Sequence, residues 1–530
     1  MGYPISPYKK YVPSWLKVAS LLLLIFLHSF VSGIGDITAL PIAYLFGIEK
    51  PTAILFMQFS AIGTVAIYPI VYRFRSFFRR IHLLFIVLSL EIIISLSCAK
   101  TGNTTILLAS GIFMGLLKII CTVEFISLLI NEFPFMSNRP LFYGFYYCIS
   151  KIFQEITIYI NLYVIDKYDW TFIFVISAIS ASLCIIICAL LFHKERMQRK
   201  VPLYQVDWIS MFLVIILGMS LCYVFTMGLT KNWFNSKSIS FSVLIFLAST
   251  SFFIYRQFKV KRPFWDLRVF KIYKQIPLGL ILMVIMYFFY LTSTLFSQYV
   301  EYNFHGEYSY LRNIRLINVV SYCFSFPLAG ILLYRGRSVR FILSVGFLCY
   351  AFSLFYLSYI VQTSLSFNNL IIPIFLQGVA FGFCLTTLSS FMASNISINQ
   401  NKNRAMGSIM SRYIIASFVG YSLYSNWMFK ETVRHHTYLA ESLTYDNFSF
   451  MNELKKGTAG FISKGLDPQA AQNMALGTFE KRIDLQSMLI SIKDIAFIEG
   501  ILAVTIAIFI LFIRLLEIHN QKNKYRIVPW

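Results

Sequence analysis

The sequence predicts an all-α membrane protein with 14 transmembrane helices, and three observations predict it. Of its 530 residues, 58% are hydrophobic and 13% charged, with a mean hydropathy of +0.69. A soluble domain has no means of burying that much apolar surface. The apolar residues gather into fourteen stretches, and the basic residues between them alternate sides. Each stretch approaches the ~20 residues that cover a ~30 Å hydrocarbon core at about 1.5 Å per residue. The long continuous runs do not match a membrane β-barrel, whose strands would be ~10 residues of alternating polarity.

In order, the stretches lie near 15–46, 52–72, 81–98, 105–130, 140–164, 170–192, 207–228, 238–255, 276–299, 313–334, 341–360, 369–392, 405–428 and 495–516. The first reads as a retained span, since it is long and no small-residue cleavage site leads from it into a soluble domain. An even number of spans places both termini on one side. The net charge of +23 identifies that side. Of 46 Lys and Arg, 28 fall in the terminal segments and in the loops on the termini's side. Short loops on the other side carry five: Lys50, Lys100, Lys167, Lys231 and Lys237. Basic loops stay cytoplasmic, so both termini are expected in the cytoplasm of a bacterial inner membrane. The charge is thus topological, and no nucleic-acid partner is expected.

The basic connection 256–275 separates eight spans from six, and 193–205 separates six from eight. Treating 207–228 and 238–255 as an insertion leaves six plus six. The expected organisation is a six-helix bundle over 1–200, an inserted helix pair over 201–257, and a second six-helix bundle over 258–530 with a large outer loop at 429–494. A short repeat supports related halves: Tyr72-Arg73-Phe74-Arg75-Ser76 follows the second span, and Tyr334-Arg335-Gly336-Arg337-Ser338 follows the tenth. In the outer loop, Asp467-Pro468 reads as a helix cap and first helical residue. Apolar residues recur at Met474, Leu476, Phe479, Ile483, Leu485 and Leu489, so a packed or surface-lying helix pair is expected there.

Ionisable residues inside spans cost ~2.5–3.5 kcal/mol each on the insertion scale, so each needs a reason. They are Asp36, Lys118, Glu124, Lys151, Glu155, Arg412 and Glu499, with Glu91 less clearly placed and Arg312 and Arg315 at the outer entrance of the tenth span. Asp36 precedes Leu40-Pro41, where proline removes a helix hydrogen bond. It reads either as a proton site or as a carboxylate at the cavity mouth. Lys151 and Glu155 are four apart and share a helix face. Lys118 and Glu124 diverge by about 120°, so at least one meets another helix, and a network of Lys118, Glu124, Lys151 and Glu155 follows as an expectation. Proton coupling is therefore expected at Asp36, Glu124 or Glu155, and a substrate cavity at Lys118, Lys151 and Arg412. Arg73, Arg75, Arg335 and Arg337 are the expected gating-loop residues. His28 reads as a hydrogen-bonded packing residue.

No phosphate-binding G-x-x-x-x-G-K-[ST] run, no H-E-x-x-H and no G-x-S-x-G occurs, so no enzyme activity, cofactor or metal is expected. The nine cysteines form no C-x-x-C pair. The His435-His436 pair has no obvious metal-ligand partners in sequence.

Several motifs resemble the fourteen-span drug:proton antiporters of the major facilitator superfamily, the EmrB/QacA type. Tyr204-Gln205-Val206-Asp207-Trp208-Ile209 is similar to the opening of that family's inserted pair, and Arg262-Pro263-Phe264-Trp265-Asp266-Leu267-Arg268-Val269-Phe270 to its signature before the ninth span. Phe326-Pro327-Leu328-Ala329-Gly330 with Arg335-Gly336-Arg337, and Leu376-Gln377-Gly378-Val379-Ala380-Phe381-Gly382, are similar to later family segments. The resemblance implies the major-facilitator fold and export of amphipathic or hydrophobic small molecules, with protons as the coupling ion. The outer loop, from His435-His436 to Asp494-Ile495-Ala496-Phe497, looks like the EmrB branch, which implies a periplasmic adaptor and an outer-membrane channel as partners. The first half departs from the pattern. Residues 66–80 carry the arginines of the family's second-to-third loop but no acid, so gating must be braced otherwise. Gln154 to Asn161 replaces the glycine–proline antiporter signature of span five, with Glu155 in its place. A carrier of lipid-like or anionic metabolites and a non-transporting scaffold are the alternative readings.

Overall fold

A computed structural model describes residues 7–33, 43, 47, 49–133, 138–193, 202–304, 307–362, 366–394, 396–441, 443 and 447–513. Among these, thirteen helices are long and apolar enough to cross a membrane. The first half supplies α1 (Ser14–Gly33), α2 (Lys50–Phe77), α3 (Arg80–Lys100), α4 (Thr104–Glu132), α5 (Arg139–Lys167) and α6 (Phe172–Leu191). Next come α7 (Trp208–Met227) and α8 (Lys237–Lys259), packed on each other and, through α7, on α2.

The second half opens with a broken span, α9 (Gln275–Leu291) and α10 (Ser293–Asn303), parted at Thr292. It continues with α11 (Tyr308–Tyr334), α12 (Val339–Ile360) and α13 (Ile371–Ala393). The remaining expected span is helical from Ile398 to Glu441, here called α14, but its centre, Ser411–Gly420, is a π-helix. Lower apolarity sets α14 apart from the other thirteen, yet it packs against α9 and against the last helix. α15 (Phe448–Ile462) and α16 (Pro468–Phe512) complete the chain.

Two main cores form around these elements. One joins α2, α3, α4 and the inserted pair around residues such as Ile62, Leu84, Leu128 and Val214. The other joins α9 to α13 and α16 around Phe289, Tyr350, Phe381 and Ile495. The halves meet most extensively along α5 and α11. Glycine makes that approach close: a Cβ on Gly144 would lie 2.8 Å from the Phe326 carbonyl oxygen, and one on Gly330 would lie 2.9 Å from that of Pro140.

Within 429–494 the expected helix pair forms, as α15 and the first part of α16. Phe450, Leu454 and Ala475 form a small core between α15 and the start of α16. Asp467 caps α16 by accepting from the Gln469 N–H at 3.2 Å, and Pro468 is its first residue. The helix then runs unbroken for 45 residues, about 68 Å, so one rod carries both an arm of the hairpin and the last span. Hydropathy alone placed the start of that span at 495, because polar residues precede it on the same helix.

Candidate functional site

The charged residues of the spans sort into four places. The first is the seam of α5 and α11. There Glu155 of the first half takes Arg315 Nη1 of the second at 3.4 Å, with Glu155 buried. Further along the seam, Asp166 takes Arg312 Nη1 at 2.9 Å. Lys151, one turn before Glu155, is buried, donates to Gln154 Oε1 at 3.1 Å and lies 5.4 Å over the Phe381 ring. Phe381 stacks on Tyr290 at 4.2 Å, and Tyr322 and Phe326 close around it. Toward the other end of the seam, Tyr147 meets Ser389 at 3.0 Å and Arg404 donates to Tyr143 at 3.0 Å. Arg412 lies in the π-helical turn of α14, over the Tyr413 ring at 4.9 Å and within electrostatic reach of Tyr287, Tyr147 and Tyr146. π-Helical turns in spans recur at functional sites because they re-aim side chains. The seam is therefore lined by aromatic faces, with cations set among them.

The second place is the end of α2. Arg75 Nε lies 2.7 Å from one Glu124 oxygen and Arg80 Nε 3.0 Å from the other. Glu124 is fully buried, so this triad links α2, α3 and α4. The brace missing from the connecting loop is thus supplied by α4. Of the four residues expected to form a network, Glu124 faces the two arginines and Glu155 faces Arg315, while the charge of Lys118 reaches Glu91 and His28.

Third, His28, Glu91 and Cys121 converge inside the first bundle, all buried, with His28 Nδ1 3.8 Å from Glu91. His28 Nε2 meets the Lys118 carbonyl at 3.2 Å, which accepts its hydrogen and leaves Nδ1 facing the carboxyl. Fourth, Glu499 of α16 is fully buried beside Tyr424, and neither of its oxygens has a hydrogen-bond partner among the described residues. At the hairpin end of α14, His435 meets Asp494 at 2.9 Å and His436 meets Asp484 at 3.3 Å, so the two histidines tie α14 to α16. Arg434 contacts Glu431 at 2.9 Å in the same cluster, a cation already serving its carboxylates.

Asp36 lies outside the described residues. Arg335 and Arg337 are exposed. Sequence reasoning did not single out Arg80, Asp166 or Tyr143. All three sit at helix ends, where a polar residue is ordinary, and only the third dimension gives them partners.

This arrangement, two helical bundles meeting along a charged aromatic seam, defines a helical membrane transporter. The profile described as Major Facilitator Superfamily matches residues 21–425, and the chain belongs to that superfamily. It is 24% identical over 429 residues to the Colistin resistance protein EmrB of Acinetobacter baumannii, covering 79% of this chain and 80% of that protein. It is 20% identical over 509 residues to the Probable multidrug resistance protein EmrY of Escherichia coli, covering 94% of this chain and 95% of that one. A solved structure of a proton dependent oligopeptide transporter shares the fold, with a TM-score of 0.58 at 12% identity over 95% of this chain and 98% of the other.

Proposed function

We propose that this transporter exports amphipathic or hydrophobic small molecules across the inner membrane by alternating access, driven by protons, with both termini cytoplasmic. The observation that carries the reading is the Glu155–Arg315 pair, which joins one half to the other beside Lys151 and the Phe381 aromatic cluster. Protonation of Glu155 removes the charge that Arg315 attracts, so the seam loosens where the carboxylate had held it. Deprotonation restores the pair. A proton taken up on one side and released on the other thus becomes a change in which face of the seam is closed. Glu124, held by Arg75 and Arg80, braces the basic face through the cycle.

The names of the relatives support drug-like cargo. Lys151, Arg312, Arg315 and Arg412 favour a cargo with an anionic group, and they keep a carrier of anionic or lipid-like metabolites as the second reading. We further propose that the α15–α16 hairpin, whose own small core raises it beyond the spans, is where a periplasmic adaptor and, through it, an outer-membrane channel engage.

Proteoliposomes with an imposed pH gradient test the coupling. Amphipathic dye should move with the wild type, and Glu155→Gln should abolish gradient dependence while retaining cargo binding. Gradient-driven flux equal to wild type in that variant rejects the assignment. For the partner, a chain lacking 447–466 that still captures the same adaptor at wild-type affinity would sink the docking proposal.

A further inference from the structure

Where α2, the inserted pair and α14 meet on the basic face, the chain encloses a pocket of about 300 Å³, at the small end of ligand pockets (~300–1,000 Å³). Its wall carries Arg73 from α2, Arg262 from the connection after α8 and Lys402 from α14, against two acids, Asp207 and Asp266. Both acids accept hydrogen bonds, Asp207 from a cation and Asp266 from neutral donors only. Asp207 caps α7 at the Ser210 N–H, 3.2 Å away, and takes Arg256 Nη2 at 2.8 Å. Asp266 accepts from the Arg268 N–H at 3.1 Å and from Gln400 Nε2 at 3.4 Å. Arg262 donates to the Gln205 side-chain oxygen, a neutral acceptor that leaves its charge uncompensated. Among the described residues, no carboxylate comes within ion-pair distance of Arg73 or Lys402. Lys402 stands at the rim, and partial desolvation of its ammonium, followed by the charge of Arg73, lowers its pKa from the ordinary lysine value against an opposing pull from Asp266. Arg73 and Lys402 thus repel one another across a pocket in which Asp266 offsets only part of the positive charge, and an anion between the two cations relieves both.

We propose that this pocket binds a phosphoryl group between Arg73 and Lys402, with Arg262 at its edge, presented either by an anionic phospholipid headgroup or by a free phosphate-bearing solute. The inference rests on the proposed orientation, which sets the pocket at the cytoplasmic leaflet, where anionic lipids draw basic groups. Arg73 belongs to the first half and Lys402 to the second. The bound anion is therefore a staple across the basic face, and it favours the state in which that face is closed.

The test reads binding rather than transport, so failure of the export reading leaves its result standing. The full chain is placed in phosphatidylcholine nanodiscs and in discs with increasing phosphatidylglycerol, and the phosphatidylcholine discs are also titrated with inorganic phosphate. The melting temperature is followed in each. Phosphatidylglycerol should raise it, and in Arg73→Ala/Lys402→Ala the half-maximal lipid fraction should rise by roughly tenfold or more, the scale of losing charge-assisted contacts. Lys271→Ala, an exposed cation on the same face outside the pocket, should leave the response unchanged. If inorganic phosphate alone reproduces the shift and the double variant removes it, the ligand is the soluble anion. If the double variant does not fold, Lys402→Gln at its exposed position serves instead and must weaken the response. The proposal is overturned if neither probe shifts the wild type, or if the variants respond as the wild type does.

Discussion

Tyr72-Arg73-Phe74-Arg75-Ser76 and Tyr334-Arg335-Gly336-Arg337-Ser338 differ at one position, and the two segments behave differently. At the end of α11, Gly336 adopts φ +93°. The Arg337 N–H reaches the Leu332 carbonyl at 3.0 Å and the Gly336 N–H the Leu333 carbonyl at 3.1 Å, the paired closure of a helix that stops at a left-handed glycine. Both arginines are left at the exposed terminus. At the end of α2, phenylalanine disfavours that conformation, and the helix continues to Phe77. The extra turn carries Arg75 to within 2.7 Å of buried Glu124. One residue thus decides whether a basic motif is a latch or a helix stop. Charge content alone teaches nothing about which.

If that contrast is right, the largest effect comes from Glu124, the α4 acid that the first segment meets through Arg75. Glu124→Ala leaves Arg75 and Arg80 buried without their carboxylate, and breaking a buried pair in this way costs about 3–5 kcal/mol. A substantially lower melting temperature in detergent is expected, with lower yield of folded protein. Removing the carboxylate and one of its two cations while keeping the bulk, as in Glu124→Gln with Arg80→Met, should recover part of the loss. A Glu124→Ala protein that melts with the wild type would show that the triad braces nothing.

Exchanging the deciding residue gives the next largest effect. Gly336→Phe forces a left-handed phenylalanine and should cost about 1–2 kcal/mol. Phe74→Gly puts glycine near the end of α2, about 1 kcal/mol by propensity, and loosens the turn that positions Arg75. The comparison sharpens if Phe74→Gly also diminishes the further cost of Glu124→Ala, measured as a double-mutant cycle, because a latch already loosened has less to lose. Additive effects would separate helix length from the latch.

The sequence made the spans legible, because each is a long apolar run bounded by charge, and the capping of α16 by Asp467 was legible because Asp-Pro has a local meaning. The pairings were not. Glu124 and Arg80 are 44 residues apart, and Glu155 and Arg315 are 160 apart. Nothing local ties either pair, because i, i+4 neighbours are the only contacts that helical spacing exposes. The unbroken rod of α16 was hidden for a related reason. Its first half is rich in polar residues and its second half is apolar, so hydropathy divides what hydrogen bonding joins. The π-helical turn around Arg412 leaves no compositional mark.

The smallest effect tests the other side of the comparison. Arg335 and Arg337 sit exposed after the helix has already closed, and surface substitutions away from caps and buried pairs stay within about ±0.5 kcal/mol. Arg335→Ala with Arg337→Ala should therefore melt indistinguishably from wild type, whereas Arg75→Ala alone should not. Both changes remove positive charge from the same face, so a shared effect on insertion or yield cancels between them and the difference isolates the latch. Equal destabilisation by the two variants would mean that basic charge on that face, not its pairing with Glu124, is what the repeat preserves.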